Sequence, residues 1–452
     1  MAQLIKRFFW IYIFFASFLI HAQSALDLDS IISLGLKHDY SIKLLNLELQ
    51  KINQTGKIIK ASRLPTLGSN FWTGYSEGRY YDALSNRFVT SPSLLNSSGL
   101  TINWSLYKGN YNRIKLGENN VILEVQKLNL EKRKREVTKE IINLYFDIVQ
   151  NCTVLKLFKL RKDNILVEAA RIRELFLFKK VTYVDTSMVF LSRSEVELKQ
   201  LQLELKIEQS LQALTLLTNT NLLRTDIKDI GSFDIIKFDL KNPKYLIYED
   251  TSVLRRSSII YKLKQIQAES MKIEKRLQRS QFKPTVNLTT GVYTGYSSNL
   301  VYFEPSTNKT TSYPLQYQLN NNVYSATGFN IYVPLYDRRS RLIHKQEEIL
   351  KEINEVELNQ TSKIISSRYF LSKKDLSIKY GKLVISNSQL AASKRIFKNS
   401  QEQNALSRLN KDEFFLAKES YILSQINFYD NYFDFLKSLK AFETEYVNDL
   451  TY

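Results

Sequence analysis

The sequence predicts a mainly α-helical chain that carries a few membrane-suited β-strands and is built from one unit written twice. Three observations support this. Segments about 220 residues apart echo one another, four segments alternate apolar with small polar residues, and two very long segments hold almost no helix breaker.

The echo begins with Ala61-Ser-Arg-Leu-Pro65-Thr-Leu-Gly-Ser-Asn-Phe71, which returns as Arg279-Ser-Gln-Phe-Lys-Pro284-Thr-Val-Asn-Leu-Thr289. Asn103-Trp-Ser-Leu-Tyr107 returns as Tyr332-Val-Pro-Leu-Tyr336, Ala169-Ala170 as Ala391-Ala392, and Val184-Asp185 falls opposite Leu406-Ser407. A period this long implies a duplicated domain rather than a solenoid. Each copy orders its elements as helix, two strands around a polar loop, a long helix and another helix. The first copy is expected over 23–219, with strands at about 65–78 and 97–107, a long helix at about 110–178, a tip at about 178–188 and a returning helix to 219. A linker over 220–246, holding Pro243, leads to the second copy over 247–452. Its strands are expected at about 284–297 and 323–336, its long helix at about 338–398, its tip at about 397–412 and its final helix to about 446.

The strands rest on strict alternation. Leu100, Ile102, Trp104 and Leu106 alternate with Thr101, Asn103 and Ser105; Val286, Leu288 and Val292 alternate with Asn287, Thr289 and Gly291. Phe329, Ile331, Val333 and Leu335 alternate with Gly328, Asn330 and Tyr332, and Leu67, Phe71 and Tyr75 mark a weaker first strand. Apolar residues on one face and small polar ones on the other suit a strand between lipid and a wet lumen. A soluble antiparallel sheet would show the same alternation. Four strands cannot close a barrel, and lipid tolerates no open edge. A membrane reading therefore requires several chains: two would supply eight strands and three twelve. The loops Arg79 to Asn96 and Ser298 to Asn322, rich in Ser, Thr, Asn and Tyr, suit exposed hairpin ends.

From Asn110 to Phe178 there is no proline and Gly117 is the only glycine, so one helix of roughly 100 Å is expected at 1.5 Å per residue. Val137, Ile141, Leu144, Ile148, Leu155 and Phe158 keep the 4-3 spacing of a coiled-coil seam, and Ile349, Ile353 and Val356 begin a second. The basic run Lys132 to Arg135 between Glu131 and Glu136 reads as a solvated helix face.

Lys6 and Arg7, the apolar run Phe8 to Ile20 and the small residues after it read as a cleavable secretory leader over 1–22, with a mature N-terminus at Gln23 that intact mass would show. Thirteen apolar residues fall short of the ~20 that a spanning helix needs. The formal charge of +19 drops by two, to +17, when Lys6 and Arg7 leave. Export takes such a basic chain away from nucleic acid. Cys152 is the only cysteine, so no disulfide forms within the chain, and a half-buried place on its helix is expected. With His21, His38 and His344 as the only histidines, no metal-ligand spacing exists. No cofactor fingerprint is present, and the scattered carboxylates offer no convergent catalytic set.

These features together resemble the TolC-like family of outer-membrane efflux and secretion channels, from about Leu26 to Phe442. The likeness is strongest at Val333-Pro334-Leu-Tyr-Asp337, similar to the family's strand-to-helix junction, and at Pro65 and Pro284, which match the prolines that enter its strands. Arg338 and Arg339 replace the junction glycines, and Ser105 stands where the second copy has Pro334. The tip stretches Phe178 to Asp185 and Phe397 to Asn404 lack the family's glycine, which leaves Asn399 or Asn404 as the least costly left-handed residue.

The resemblance implies a homotrimer in the outer membrane of a Gram-negative bacterium. Three chains would form one 12-stranded barrel among outer-membrane lipid and a long periplasmic α-helical tunnel, whose tip meets a periplasmic adaptor protein tied to an inner-membrane transporter. It implies a passive channel for small molecules, with no catalytic residue, cofactor or metal. The outlet of a type I protein secretion system is the alternative, and a periplasmic coiled-coil scaffold a more remote one. At the tip it points to Asp185, close to the family's closing aspartate, and to Ser407 and Asn410, where some members carry an acidic ring. Arg395 and Arg408 lie near enough to partner Asp185.

Overall fold

The computed structural model describes residues 27–224, 254, 257–406 and 411–447. The expected leader, most of the 220–246 linker, and Ser407, Arg408 and Asn410 lie outside the described residues. The first half orders α1 (Leu28–His38), α2 (Tyr40–Ala61), β1 (Thr66–Ser76), β2 (Tyr80–Asp82), β3 (Arg87–Val89), β4 (Ser93–Lys108), α3 (Tyr111–Leu177) and α4 (Tyr183–Thr218). The second half orders α5 (Ile259–Ser280), β5 (Thr285–Ser297), β6 (Val301–Glu304), β7 (Lys309–Ser312), α6 (Leu315–Asn321), β8 (Tyr324–Tyr332), α7 (Arg339–Ala405) and α8 (Lys411–Phe442), with a π-helical turn over Glu443–Val447. The expected succession thus occurs twice. The chain divides into a strand-bearing unit, Leu47–Lys127 with Lys262–Asn359, and a helical unit, Met1–Asn46 with Leu128–Tyr261 and Gln360–Tyr452.

In the strand-bearing unit, Pro65 and Pro284 immediately precede β1 and β5, where a missing N–H costs no ladder bond. The long strands form one antiparallel sheet in the order β1-β4-β5-β8, so the central β4–β5 ladder joins the two copies. Its rungs are in register across all four strands: Leu67 faces Ile102, Ile102 faces Thr290, and Thr290 faces Thr327. Three strand details differ from expectation. β8 ends at Tyr332 rather than 336, because Pro334 has no N–H to extend the ladder. A register shift between Ser105 and Tyr107 takes Leu106 out of the alternation and sets Tyr107 opposite Val286. β4 begins at Ser93, four residues early.

The loops are not plain exposed ends either. They fold into the β2–β3 and β6–β7 hairpins and the short helix α6. Gln318 of α6 is buried, accepting from Ser297 N at 2.9 Å and donating to the carbonyls of Ser297 and Tyr313.

The two strand-to-helix junctions turn by different means. The first uses Gly109 and Asn110, both left-handed at φ 58° and 64°. A Cβ on Gly109 would lie 2.3 Å from the Ser280 carbonyl, so glycine is required there. In the second, Asp337 accepts the Arg339 N–H at 2.9 Å and holds its guanidinium as well.

In the helical unit, the 4-3 series on α3 is the core: Val137, Ile141, Ile148, Leu155 and Phe158 are buried, with Leu144 packed against them. α1 approaches α3 closely, since a Cβ on Gly35 would lie 2.2 Å from the Ile141 side chain. Cys152 is half-buried against the same cluster. α8 supplies aromatics to it, with Phe428, Tyr432, Phe433, Phe435 and Phe442 all buried. Contacts run α4–α3–α8–α7 as a row. Lys162 pairs with Glu197 across α3–α4 at 3.1 Å, and Lys437 with Asp147 and Gln150 with Asp430 across α3–α8 at 2.5 and 2.8 Å. Across α7–α8, Lys379 meets Ser438 at 2.6 Å and Phe397 stacks on Tyr421 at 5.4 Å. The second seam departs from expectation: Ile349, Ile353 and Val356 are exposed in the strand-bearing unit, having no apolar helix face against them. α7 instead buries Tyr369, Leu376 and Leu383, further along and spaced by sevens.

Candidate conduit wall and entrance tip

Because facing residues share a side of the sheet, the register sorts every rung onto one of two faces. One face carries Leu67, Phe71, Leu100, Ile102, Trp104, Leu288, Val292, Phe329 and Ile331, with Tyr75 and Tyr296 at its far end. The other carries Gly68, Asn70, Gly99, Thr101, Asn103, Asn287, Thr289, Gly291 and Asn330. The first is a lipid-suited surface with aromatics toward the ends; the second suits a wet lumen. Leu67 and Phe71 on β1 and Phe329 and Ile331 on β8 are strongly exposed, so both edge strands present apolar side chains without cover in the single chain. Trp104 donates Nε1–H to the Arg63 carbonyl at 2.8 Å, which satisfies the indole's polar end.

The first tip is a five-residue turn between α3 and α4. α3 closes in a Schellman pattern, with Lys180 N donating to Leu175 O and Lys179 N to Phe176 O, both at 2.9 Å. The left-handed residue is Lys179, at φ 56°, rather than an asparagine. Asn399 and Asn404 are ordinary helical residues, because α7 runs on to Ala405 instead of ending near 398. α4 then opens on a capping box: Thr182 accepts from Asp185 N, while Asp185 accepts from Thr182 N and Oγ1 at 2.8 Å. These two hydrogen bonds from Thr182 hold the Asp185 carboxyl below its ordinary pKa.

Asp185 therefore fastens its own helix, and no ion pair joins it to Arg395 among the described residues. Arg395 lies exposed on α7. Sequence reasoning located the tip but missed the Thr182–Asp185 box, although a threonine three residues before an acid is the usual signal for one.

The basic run is more than a solvated face. Arg133 reaches Asp39 at 3.3 Å, and Asp39 itself is buried and accepts from Ile42 N at the start of α2. Lys132 and Arg135 border a cavity of about 360 Å³, together with Lys139, Arg368 and Tyr446. Burial pushes the Tyr446 hydroxyl up to about 12, so it stays protonated there. In the strand-bearing unit Glu347 is buried and gathers Lys275 at 2.7 Å, Arg279 at 2.8 Å and His344 at 3.1 Å. Burial opposes its charge, but these partners keep its carboxyl below the ordinary value. Glu347 thereby ties α5 to α7, and Arg133 ties α3 to the start of α2. Among the described residues no group of His, Cys, Asp and Glu is placed to hold a metal ion, and no helix is long and apolar enough to cross a membrane.

A duplicated helix–hairpin–long helix–helix chain with this strand order has the TolC-like channel fold. Solved structures that share it include a membrane protein from Pseudomonas aeruginosa, at TM-score 0.72 and 14% identity, covering 92% of this chain and 89% of that one. The outer membrane protein VceC from Vibrio cholerae matches at TM-score 0.70 and 13% identity, over 92% of this chain and 95% of that one. The CmeC outer membrane channel of Campylobacter jejuni matches at 0.69 and 14%, over 92% and 85%. No protein-family model and no curated protein matches the sequence.

Two outcomes are expected. Leu288→Arg should cost ~2–4 kcal/mol of folding stability in lipid vesicles if the residue lies near the midplane, and Asn103→Arg on the other face much less; equal losses in a denaturant titration would show the faces misassigned. At the tip, Lys179→Gly should relieve about 1 kcal/mol of left-handed strain and slow amide exchange there, whereas Asp185→Ala should speed it at residues 183–186. The Asp185 contribution is present above the ordinary carboxylate pKa and is lost as pH falls through the lowered one, so exchange in the Ala variant should lose its difference from wild type in strong acid.

Proposed function

We propose that this chain is a passive outer-membrane conduit of a Gram-negative bacterium, and not an enzyme. Three copies close a 12-stranded barrel and a helical tunnel, which carries small molecules delivered by a periplasmic adaptor and an inner-membrane transporter. The supporting observation is that both layers of the chain are open at both ends. β1 and β8 are unpaired sheet edges with exposed apolar residues.

In the helical row, the end helices α4 and α7 each carry a second apolar stripe on the outside. On α4 it is Val184, Met188, Leu191, Leu198 and Leu205; on α7 it is Ile364, Leu371, Ile378 and Ile385, all exposed. Each stripe stands two residues ahead of the buried one, Val196 and Leu203 on α4 and Tyr369, Leu376 and Leu383 on α7. Two residues turn a helix by roughly 200°, so each end helix has two nearly opposite apolar faces at coiled-coil spacing. A head-to-tail contact of α4 on one copy with α7 on the next, and of β1 with β8, covers both stripes and both sheet edges, and such contacts form a ring where the rotation between copies closes.

That the named structures include an outer membrane protein and an outer membrane channel supports the membrane placement; three copies is what the TolC-like resemblance implies. On this reading residues 23–219 and 247–452 are the two repeats and 220–246 joins them. An outlet for secreted protein would have the same architecture, because a passive channel leaves the choice of cargo to its pump. Asp185 and Arg395, with Ser407, Arg408 and Asn410, are the proposed entrance set, and Asp185 and an arginine of the next copy the closing contact. Exposed pairs of this kind are weak, which suits a gate that a docking partner opens.

Native mass measurement in detergent should give a trimer. Leu198→Glu or Leu371→Glu should weaken association by roughly tenfold or more, since each puts a charge where the proposed seam would bury an exposed leucine, while leaving helical circular dichroism intact. A stable soluble monomer of the wild-type chain would defeat the conduit. In planar bilayers the Asp185→Ala trimer should open more often, and conductance identical to wild type would leave Asp185 as a helix cap alone.

A further inference from the structure

The four long strands carry one charged side chain, Lys108 at the end of β4 opposite Thr285, in a chain with 64 Lys and Arg and 45 Asp and Glu. On the conduit reading, the lumen face of this sheet beyond Lys108 is therefore a neutral wall of hydroxyls, amides and glycine. Trp72, Tyr293 and Tyr324 interrupt it on adjacent rungs: Trp72 faces Ser97, and the next rung aligns Asn70, Gly99, Tyr293 and Tyr324. Tyr332, the other aromatic on this face, stands at the opposite end of β8.

The three rings lie down against backbone. A Cβ on Gly74 would lie 2.4 Å from the Trp72 ring, and Cβ atoms on Gly99 and Gly291 would lie 2.5 and 2.7 Å from Tyr293. Tyr293 stacks on Tyr324 with centroids 5.4 Å apart and planes at 26°. Trp72 and Tyr324 remain more than half exposed. The loop after β1 folds over the same face at this level. Leu84 would sit 3.2 Å from a Cβ on Gly295, and Asp82, which is buried, accepts from the buried Ser297 hydroxyl at 2.6 Å.

We propose that Trp72, Tyr293 and Tyr324 form a solute-contacting girdle, narrowed by the Leu84 loop, that favours cargo with a flat aromatic ring, neutral or with delocalised positive charge. Ring faces attract other ring faces and soft cations, and the one charged residue of the long strands, Lys108, stands at the other end of β4, so no strand charge at the girdle competes for such a solute or repels it. The inference rests on the conduit reading, since it needs this face to line the passage. The bland role for the same rings is to cover glycine backbone, which leucine would also do.

The test therefore replaces the rings by leucine and titrates the purified trimer in detergent with ethidium, using tetraethylammonium as the non-planar cation of equal charge. Wild type should bind ethidium saturably, with tetraethylammonium competing at least tenfold more weakly. Trp72→Leu and Tyr293→Leu should each weaken ethidium roughly two- to tenfold, at unchanged melting temperature. Tyr75→Leu, on the lipid face, should bind as wild type. Equal competition by tetraethylammonium, leucine variants that bind like wild type, or an equal loss in Tyr75→Leu would each overturn the girdle. If any of these occurs in an intact trimer, only the girdle falls; a wild-type chain that forms no trimer removes the conduit as well.

Discussion

A backbone amide at a sheet edge has to find a partner, and in hydrocarbon no water supplies one. β1 and β8 are such edges, at the two ends of a sheet whose interior ladders are complete. The consequence reaches every other element. On the conduit reading it leaves the single chain incomplete and makes the contact between copies one edge against the opposite edge. β4 and β5, one from each repeat, are the central pair. The sheet ends on the first strand of one repeat and the last strand of the other, so on that reading further copies would continue it until the curvature closed a ring.

The helical unit repeats that logic with side chains in place of backbone. A helix of a lone globular protein buries one stripe and wets the rest. α4 and α7 bury one stripe and expose another of the same period almost diametrically opposite, while α3 and α8 between them meet through both ion pairs and apolar contacts. The same chain therefore specifies internal packing and external packing with one heptad grammar. What separates the two seams is their composition. The internal one on α7 and α8 is filled by Tyr369, Phe435 and Phe442, large residues that fix one arrangement, whereas the external stripes are aliphatic and shorter in side chain.

Much of this was legible in the residues. Period-two alternation gave the faces of β4 and β5, the prolines at 65 and 284 gave the strand starts, and the absence of breakers gave α3 to within a residue or two at each end. The misses have specific causes. Leu106 obeyed the alternation in sequence but fell on a bulge, which no local pattern announces. Val333 and Leu335 did too, but Pro334 between them could not donate to a ladder. Ile349, Ile353 and Val356 have seam spacing without a partner helix within the chain, and spacing alone does not say whose helix is opposite. The burial of Asp82 depends on Ser297, 215 residues away, and that of Gln318 on its own loop folding back 21 residues to the same Ser297, which composition reads only as polar.

The tip shows how a departure from a family pattern can be absorbed locally. Without glycine, the turn after α3 places Lys179 in the left-handed region, an unfavourable choice by about 1–2 kcal/mol. The surrounding bonds hold it there. The Schellman pair satisfies the last carbonyls of α3, and the Thr182–Asp185 box satisfies donors at the start of α4, so both helix ends are closed within a few residues. A turn that satisfies its own backbone groups has none to exchange with a neighbour. On the conduit reading, an entrance built from such tips would widen by helices moving as rigid pairs, with the exposed aliphatic stripes on α4 and α7 as the surfaces that meet the next copy. The strand edges and the helix stripes are separate parts of the chain, so on that reading the ring would stay closed in the strands while its contacts shifted in the helices.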